Sequence, residues 1–129
     1  MSKESPVVVR WGDVPLDMTS IVGNFKRSEF GAFYTDQERG VCVGHWVVED
    51  GYEDYGTFPQ AEIFYIVEGT GRVQTDEGEY VVGPGDTVLM LPGRRSRFVV
   101  KEPMKIFYLT SGHPDIEKAQ EVRRKAAKK

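Results

Sequence analysis

The sequence predicts an all-β fold, an antiparallel sandwich or barrel of short strands, and three observations carry the prediction. From Phe30 onward eight short runs rich in β-branched and aromatic residues follow one another at regular spacing. Pieces bearing Gly, Pro or acidic residues separate them: GYEDYG, GTG, DEG, GPG, PGRR and KEP. The composition, 40% hydrophobic and 12% aromatic with 14 glycines, suits a β-rich core with many tight turns. A chain of 129 residues is expected to form one domain around one core.

Residues 1–29 mix short apolar pieces with Gly12, Pro15 and Gly23, and are expected to form an arm packed on the barrel. The strands then read GAFYT, VCVGHWVVE, EIFYIVE, GRVQT, EYVV, DTVLML, SRFVV and MKIFYL, placing the barrel at residues 30–112. Gly69, Gly71, Gly78, Gly83 and Gly85 allow the sharp turns between them, and Pro84 fixes one dihedral in the last. Residues 113–129 lose the β pattern, gain helix formers after Pro114 and Asp115, and end in Lys and Arg. A short C-terminal helix or tail is expected there.

Charge and composition remove several function classes. A net charge of −3 with an acidic body offers no basic face for a nucleic-acid partner. No run approaches the roughly 18 apolar residues of a membrane span. One cysteine, Cys42, excludes an internal disulfide, and MSKESPVVV lacks the apolar run of a signal peptide, so a cytoplasmic protein is expected. Cys42, within GVCVGHWVV, reads as a small buried hydrophobe. No GxSxG, P-loop, HExxH or CxxC motif is present.

Two stretches carry a family resemblance. EIFYIVEG, containing Glu62 and Gly69, resembles the end of the first cupin motif, and GPGDTVLMLPG, Gly83 to Gly93, resembles the start of the second. Residues 40–112 are therefore similar to a cupin domain, a double-stranded β-helix jelly-roll barrel. WVVEDGY and RFVVKEPMKIFYL are most similar to the branch holding ureidoglycine aminohydrolase and the ethanolamine-utilisation cupin. The family's metal ligands carry over poorly. Its two motif-one histidines fall on Gly56 and Phe58, or on Tyr55 and Thr57, and its motif-two histidine falls on Ser96 or Arg97. Of that set only Glu62 remains, so no metal and no other cofactor are expected. The alternative is an unusual metal set of Glu62 with His45 and Glu49 from the preceding strand.

The resemblance implies that the Glu62 face lines the barrel, and strand alternation puts Phe64 and Ile66 beside it. A carboxylate in apolar surroundings must be paired, hydrogen-bonded or raised in pKa, which makes Glu62 the leading catalytic candidate, with Tyr55 as its partner. Trp46, Tyr52, Phe58, Gln60, Phe64 and Ser96 are expected to wall a pocket for a small organic metabolite. Arg95 and Arg97, after the Pro92–Gly93 turn, are expected to orient an acidic group if the ligand is anionic. The expected function is small-molecule binding with proton-transfer chemistry such as isomerisation, deamination or elimination. The alternatives are a non-catalytic module for ligand sensing or assembly, and an atypical metal-dependent cupin. A homodimer is expected, with Trp11 and Phe25 of the arm offering apolar surface.

Overall fold

A computed structural model describes residues 8–16, 18–19, 23–36, 38–55 and 61–111. All regular structure among them is β. The strands are β1 (Met18–Thr19), β2 (Arg27–Asp36), β3 (Val41–Glu49), β4 (Gly51–Tyr55), β5 (Ala61–Glu68), β6 (Gly71–Thr75), β7 (Gly78–Val82), β8 (Thr87–Met90), β9 (Ser96–Val100) and β10 (Met104–Ser111). They form two antiparallel sheets, a six-stranded one in the order β1-β2-β3-β10-β5-β8 and a four-stranded one in the order β4-β9-β6-β7. The expected C-terminal helix lies outside the described residues, and among those described no helix is long and apolar enough to cross a membrane.

Each of the eight anticipated strands is present, and β4 is an addition: GYEDY, which reads as a connection, pairs with β9 from Gly51↔Val100 to Tyr55↔Ser96. The corner between β3 and β4 is made by Asp50, at φ 33°. Both its carbonyl and that of Glu49 accept from the Lys26 amide, which ties the arm to the turn.

Direct cross-strand partners share a face, so the register orders the interior into rows. On the larger sheet the inner rows are Phe30–Trp46–Ile106–Ile66, then Ala32–Gly44–Tyr108–Phe64–Val88, then Thr35–Cys42–Thr110–Glu62–Met90. On the smaller sheet they are Gly51–Val100–Gly71–Val82, then Glu53–Phe98–Val73–Tyr80, then Tyr55–Ser96–Thr75–Gly78. Phe64 packs its ring on Phe98 across the interior, and Trp46 packs on both. One end of the barrel is thus aliphatic and aromatic. The other end, where the third row of each sheet lies, is lined by hydroxyls, a thiol and a carboxylate. Gly44 is required within this core, because a Cβ there would stand 2.7 Å from the Tyr108 hydroxyl and 2.3 Å from the Gly31 carbonyl oxygen.

The outer face of the larger sheet carries the arm. Trp11 stacks on His45 at 4.3 Å between ring centroids, with Phe33 also against the imidazole. The β2–β3 register shifts between Ala32 and Tyr34, so Phe33 drops out of the ladder and swings onto His45 and Phe107.

Candidate functional site

The polar end of the barrel gathers Glu62, Thr110, Cys42 and Met90 from the larger sheet and Tyr55, Ser96 and Thr75 from the smaller. Glu62 points inward and is 3% exposed, with Phe64 beside it on the same strand. Met90 is its cross-strand partner, and the Ser96 hydroxyl meets the Met90 sulfur at 3.2 Å, which joins the two sheets at this end. Burial pushes the Cys42 thiol pKa up; contact with the Tyr108 hydroxyl, 3.9 Å from the sulfur, opposes this, and the charge of Glu62 adds to the rise. Cys42 is therefore a protonated thiol at neutral pH and a poor nucleophile, in keeping with its reading as a packing residue.

Tyr55 also faces inward, its ring edge on Phe64 and its hydroxyl donating to Glu53 Oε1 at 2.8 Å. Glu53 is a second interior carboxylate, 2% exposed, that sequence reasoning missed. The signal was there in the alternation of Gly51, Glu53 and Tyr55, since a strand that turns Tyr55 inward turns Glu53 inward as well.

The other expected site residues are divided by the same parity. Trp46 faces the interior but at the apolar end, two rows from Glu62, and its indole N–H is already committed to Ser28 Oγ at 2.8 Å. Tyr52 and Arg97 do not reach the interior. They lie on the outer face of the smaller sheet, where the Arg97 guanidinium sits 4.0 Å from the Tyr52 ring centroid and holds both oxygens of Asp54 at 2.7 and 3.2 Å. Residues 52, 54 and 97 are each one step out of phase with the inward positions, which corrects the expectation that Tyr52 and Arg97 contact a ligand beside Glu62. Arg95 is exposed at the open end of the barrel. Phe58 and Gln60 lie outside the described residues.

The alternative metal set fails on geometry. His45 and Glu49 are on the outer face of β3; the first is covered by Trp11 and the second is paired with Arg27 at 3.1 Å. The sheet itself separates them from Glu62. Among the described residues no three His, Cys, Asp or Glu side chains cluster as metal ligands would. His45 is 7% exposed, its Nδ1 is buried with no hydrogen-bond partner among the described residues, and burial lowers its pKa against a smaller upward pull from Asp13.

A cleft of about 490 Å³ opens where the edge strands β7 and β8 part. The two strands are held together at the Gly83–Asp86 turn, where the Gly83 amide donates to the Asp86 carboxylate, and they splay toward the β6–β7 hairpin tip and the 91–95 segment. Its inner end is formed by Met90 and Ser96, one side chain away from Glu62. That volume lies within the roughly 300–1,000 Å³ range of small-ligand sites.

Comparison with known folds agrees with this architecture. The Clostridium difficile EutQ protein superposes with a TM-score of 0.56 at 20% identity, covering 66% of this chain and 68% of that one. A predicted oxalate decarboxylase from Thermotoga maritima gives 0.67 at 13% identity over 81% of this chain and 98% of its own. Ectoine synthase from P. lautus gives 0.67 at 12% identity over 91% and 86%. At these identities the likeness concerns the fold, a cupin barrel. No curated protein matches by sequence. The profile of the AraC-like ligand binding domain matches residues 40–123, well over half of the chain. The chain is a cupin and belongs to the AraC-like ligand binding domain family.

Proposed function

We propose that this barrel binds a small organic metabolite at its polar end, through the cleft that leads to Met90, Ser96 and Glu62, without a metal. One observation carries the reading: the cleft of about 490 Å³ is lined by Ser96 and by Met90, the cross-strand partner of the buried Glu62. Family membership supports ligand binding as the role of such a domain. Glu62 is 3% exposed, so a ligand reaches it only if Met90 swings aside, which an unbranched thioether does at low rotamer cost. A carboxyl this enclosed suits recognition of a hydrogen-bond donor, and it also suits acid or base chemistry on a ligand proton, the isomerisation, deamination or elimination expected from the sequence.

Thermal-shift screening against a library of small polar metabolites tests the proposal, with every hit repeated on Glu62→Gln and its turnover followed by mass spectrometry. Hits whose effect weakens about tenfold or more in affinity in the variant support Glu62 as a ligand contact. Turnover lost in the variant supports the acid or base role, and turnover unchanged removes it. A library with no hit sinks the reading.

A second reading, assembly through the larger sheet, is favoured by a specific feature. On its outer face Tyr34, Val43, Leu109, Ile63 and Leu89 form one unbroken row of direct partners, and the end members are 53% and 55% exposed. Tyr65 and Val67 extend this apolar surface, which suits a second copy of the chain. Light scattering of Tyr65→Lys should then report a monomer where the wild type is a dimer, and a monomeric wild type contradicts the reading.

A further inference from the structure

The cleft carries charges of both signs, and their arrangement bears on what it holds. The last paired residues of β6 and β9 are Thr75 and Ser96. Beyond them the chains diverge into the hairpin tip on one side and the 91–95 segment on the other, and the Arg94 guanidinium contacts the Glu77 carboxylate across the gap at 3.8 Å. That contact uses one acid and one base of the cleft. Between it and the last ladder pair remain Asp76 and Arg95, which line the same cleft and form no ion pair with each other or with any other described residue. Asp76 and Arg95 follow directly on the last ladder pair, one from each chain, so the rim carries one unpaired charge of each sign.

Behind the rim the lining becomes apolar, with Val73, Tyr80 and Met90. A simple anion would meet Arg95 but also the carboxylates of Asp76 and Glu77, and a simple cation would meet the two guanidiniums. The four charges balance, so the cleft favours a ligand of zero net charge that carries both signs at one end and an apolar group at the other.

We infer that the cleft takes a free α-amino acid with an apolar side chain, its ammonium on Asp76, its carboxylate on Arg95 and its side chain on Val73, Tyr80 and Met90. This rests on the reading of the cleft as the ligand site and adds the substrate class to it. Arg95 presents paired N–H donors that match a carboxylate, and a charge-assisted contact of this kind is the strongest the rim offers.

Isothermal titration with L-leucine, 4-methylpentanoate and 3-methylbutylamine tests the inference on the wild type, Arg95→Gln and Asp76→Asn. L-leucine should bind saturably to the wild type, and each analogue, lacking one of the two charges, should bind at least about tenfold more weakly. Arg95→Gln should abolish the preference over 3-methylbutylamine and Asp76→Asn the preference over 4-methylpentanoate. Both positions are exposed, so circular dichroism should show the variants folded. The inference is overturned if L-leucine binds no more tightly than its analogues, if neither variant alters its binding, or if it does not bind. In that last case a hit from the metabolite library that depends on Glu62 leaves the cleft as a ligand site and removes only the amino-acid assignment, whereas the absence of any hit removes both.

Discussion

Cys42 and Glu62 flank Thr110 in one row of direct cross-strand partners on the inner face of the larger sheet, so a thiol and a carboxylate share one enclosed end of the barrel. Burial is the main cause of the raised Cys42 pKa and the Glu62 charge a lesser one. Glu62→Gln removes that charge and keeps the shape. The Cys42 midpoint, followed through its ¹³Cβ NMR shift against pH, should move down in the variant while staying above the ordinary thiol range. An unchanged midpoint means that the two groups do not sense each other.

His45 makes stability depend on pH. Burial between Trp11 and Phe33 lowers its pKa from the ordinary 6.5, while Asp13 pulls weakly the other way and the Lys105 amine lies 5.7 Å from the Trp11 ring centroid. The unfolded chain therefore takes up the proton first. The stability from the neutral, buried imidazole is complete above about pH 6.5 and is lost as pH falls through the lower folded value, with a slope of at most about 1.4 kcal/mol per pH unit. Urea midpoints measured from pH 8 to pH 5 should fall in the wild type, and less steeply in His45→Phe, which keeps the ring packing. Equal slopes contradict the assignment.

Docking of the arm requires a residue without a side chain opposite His45. A Cβ at Gly31 would stand 2.2 Å from the Pro15 carbonyl oxygen and 3.1 Å from the Val14 side chain, and backbone cannot yield as a flexible side chain does. Gly31→Ala should push the arm off, lift Trp11 from His45 and cost about 1–3 kcal/mol. Trp11 emission, read in a Trp46→Phe background, should shift to the red. Unchanged emission and stability would show that the arm does not depend on this contact.

The hydroxyl of Tyr55 serves a carboxylate in the interior, so Tyr55→Phe removes a donor that Glu53 uses. A loss of about 1–3 kcal/mol in urea unfolding is expected, larger than an exposed Tyr→Phe change produces. Tyr34→Phe, whose hydroxyl reaches Asp36 at the surface, is the control, and equal losses in the two variants would mean that burial of the Glu53–Tyr55 pair is immaterial.

The eight main strands were legible because each is a short run of β-branched and aromatic residues that stops near a Gly, Pro or acidic turn, two features a single chain records. Alternation put Glu62 and Phe64 on one face, and the resemblance to cupins turned that face inward. The strand β4 was not, because GYEDY has the composition of a turn and its pairing partner, the strand holding Phe98, lies far along the chain. Tyr52 and Arg97 were misplaced by nearness in sequence to Tyr55 and Ser96, when one step of parity sends a side chain to the opposite face. The burial of His45 depends on an arm more than thirty residues away, and no local pattern encodes that contact.

Amide chemical-shift mapping during titration with a ligand from the library tests most directly that the polar end of the barrel is the binding site. Binding there should perturb Thr75, Met90, Ser96 and Thr110 first and leave Trp46, Ile66 and Ile106 at the apolar end unmoved. Shifts confined to the apolar end, or to the outer row from Tyr34 to Leu89, would contradict it.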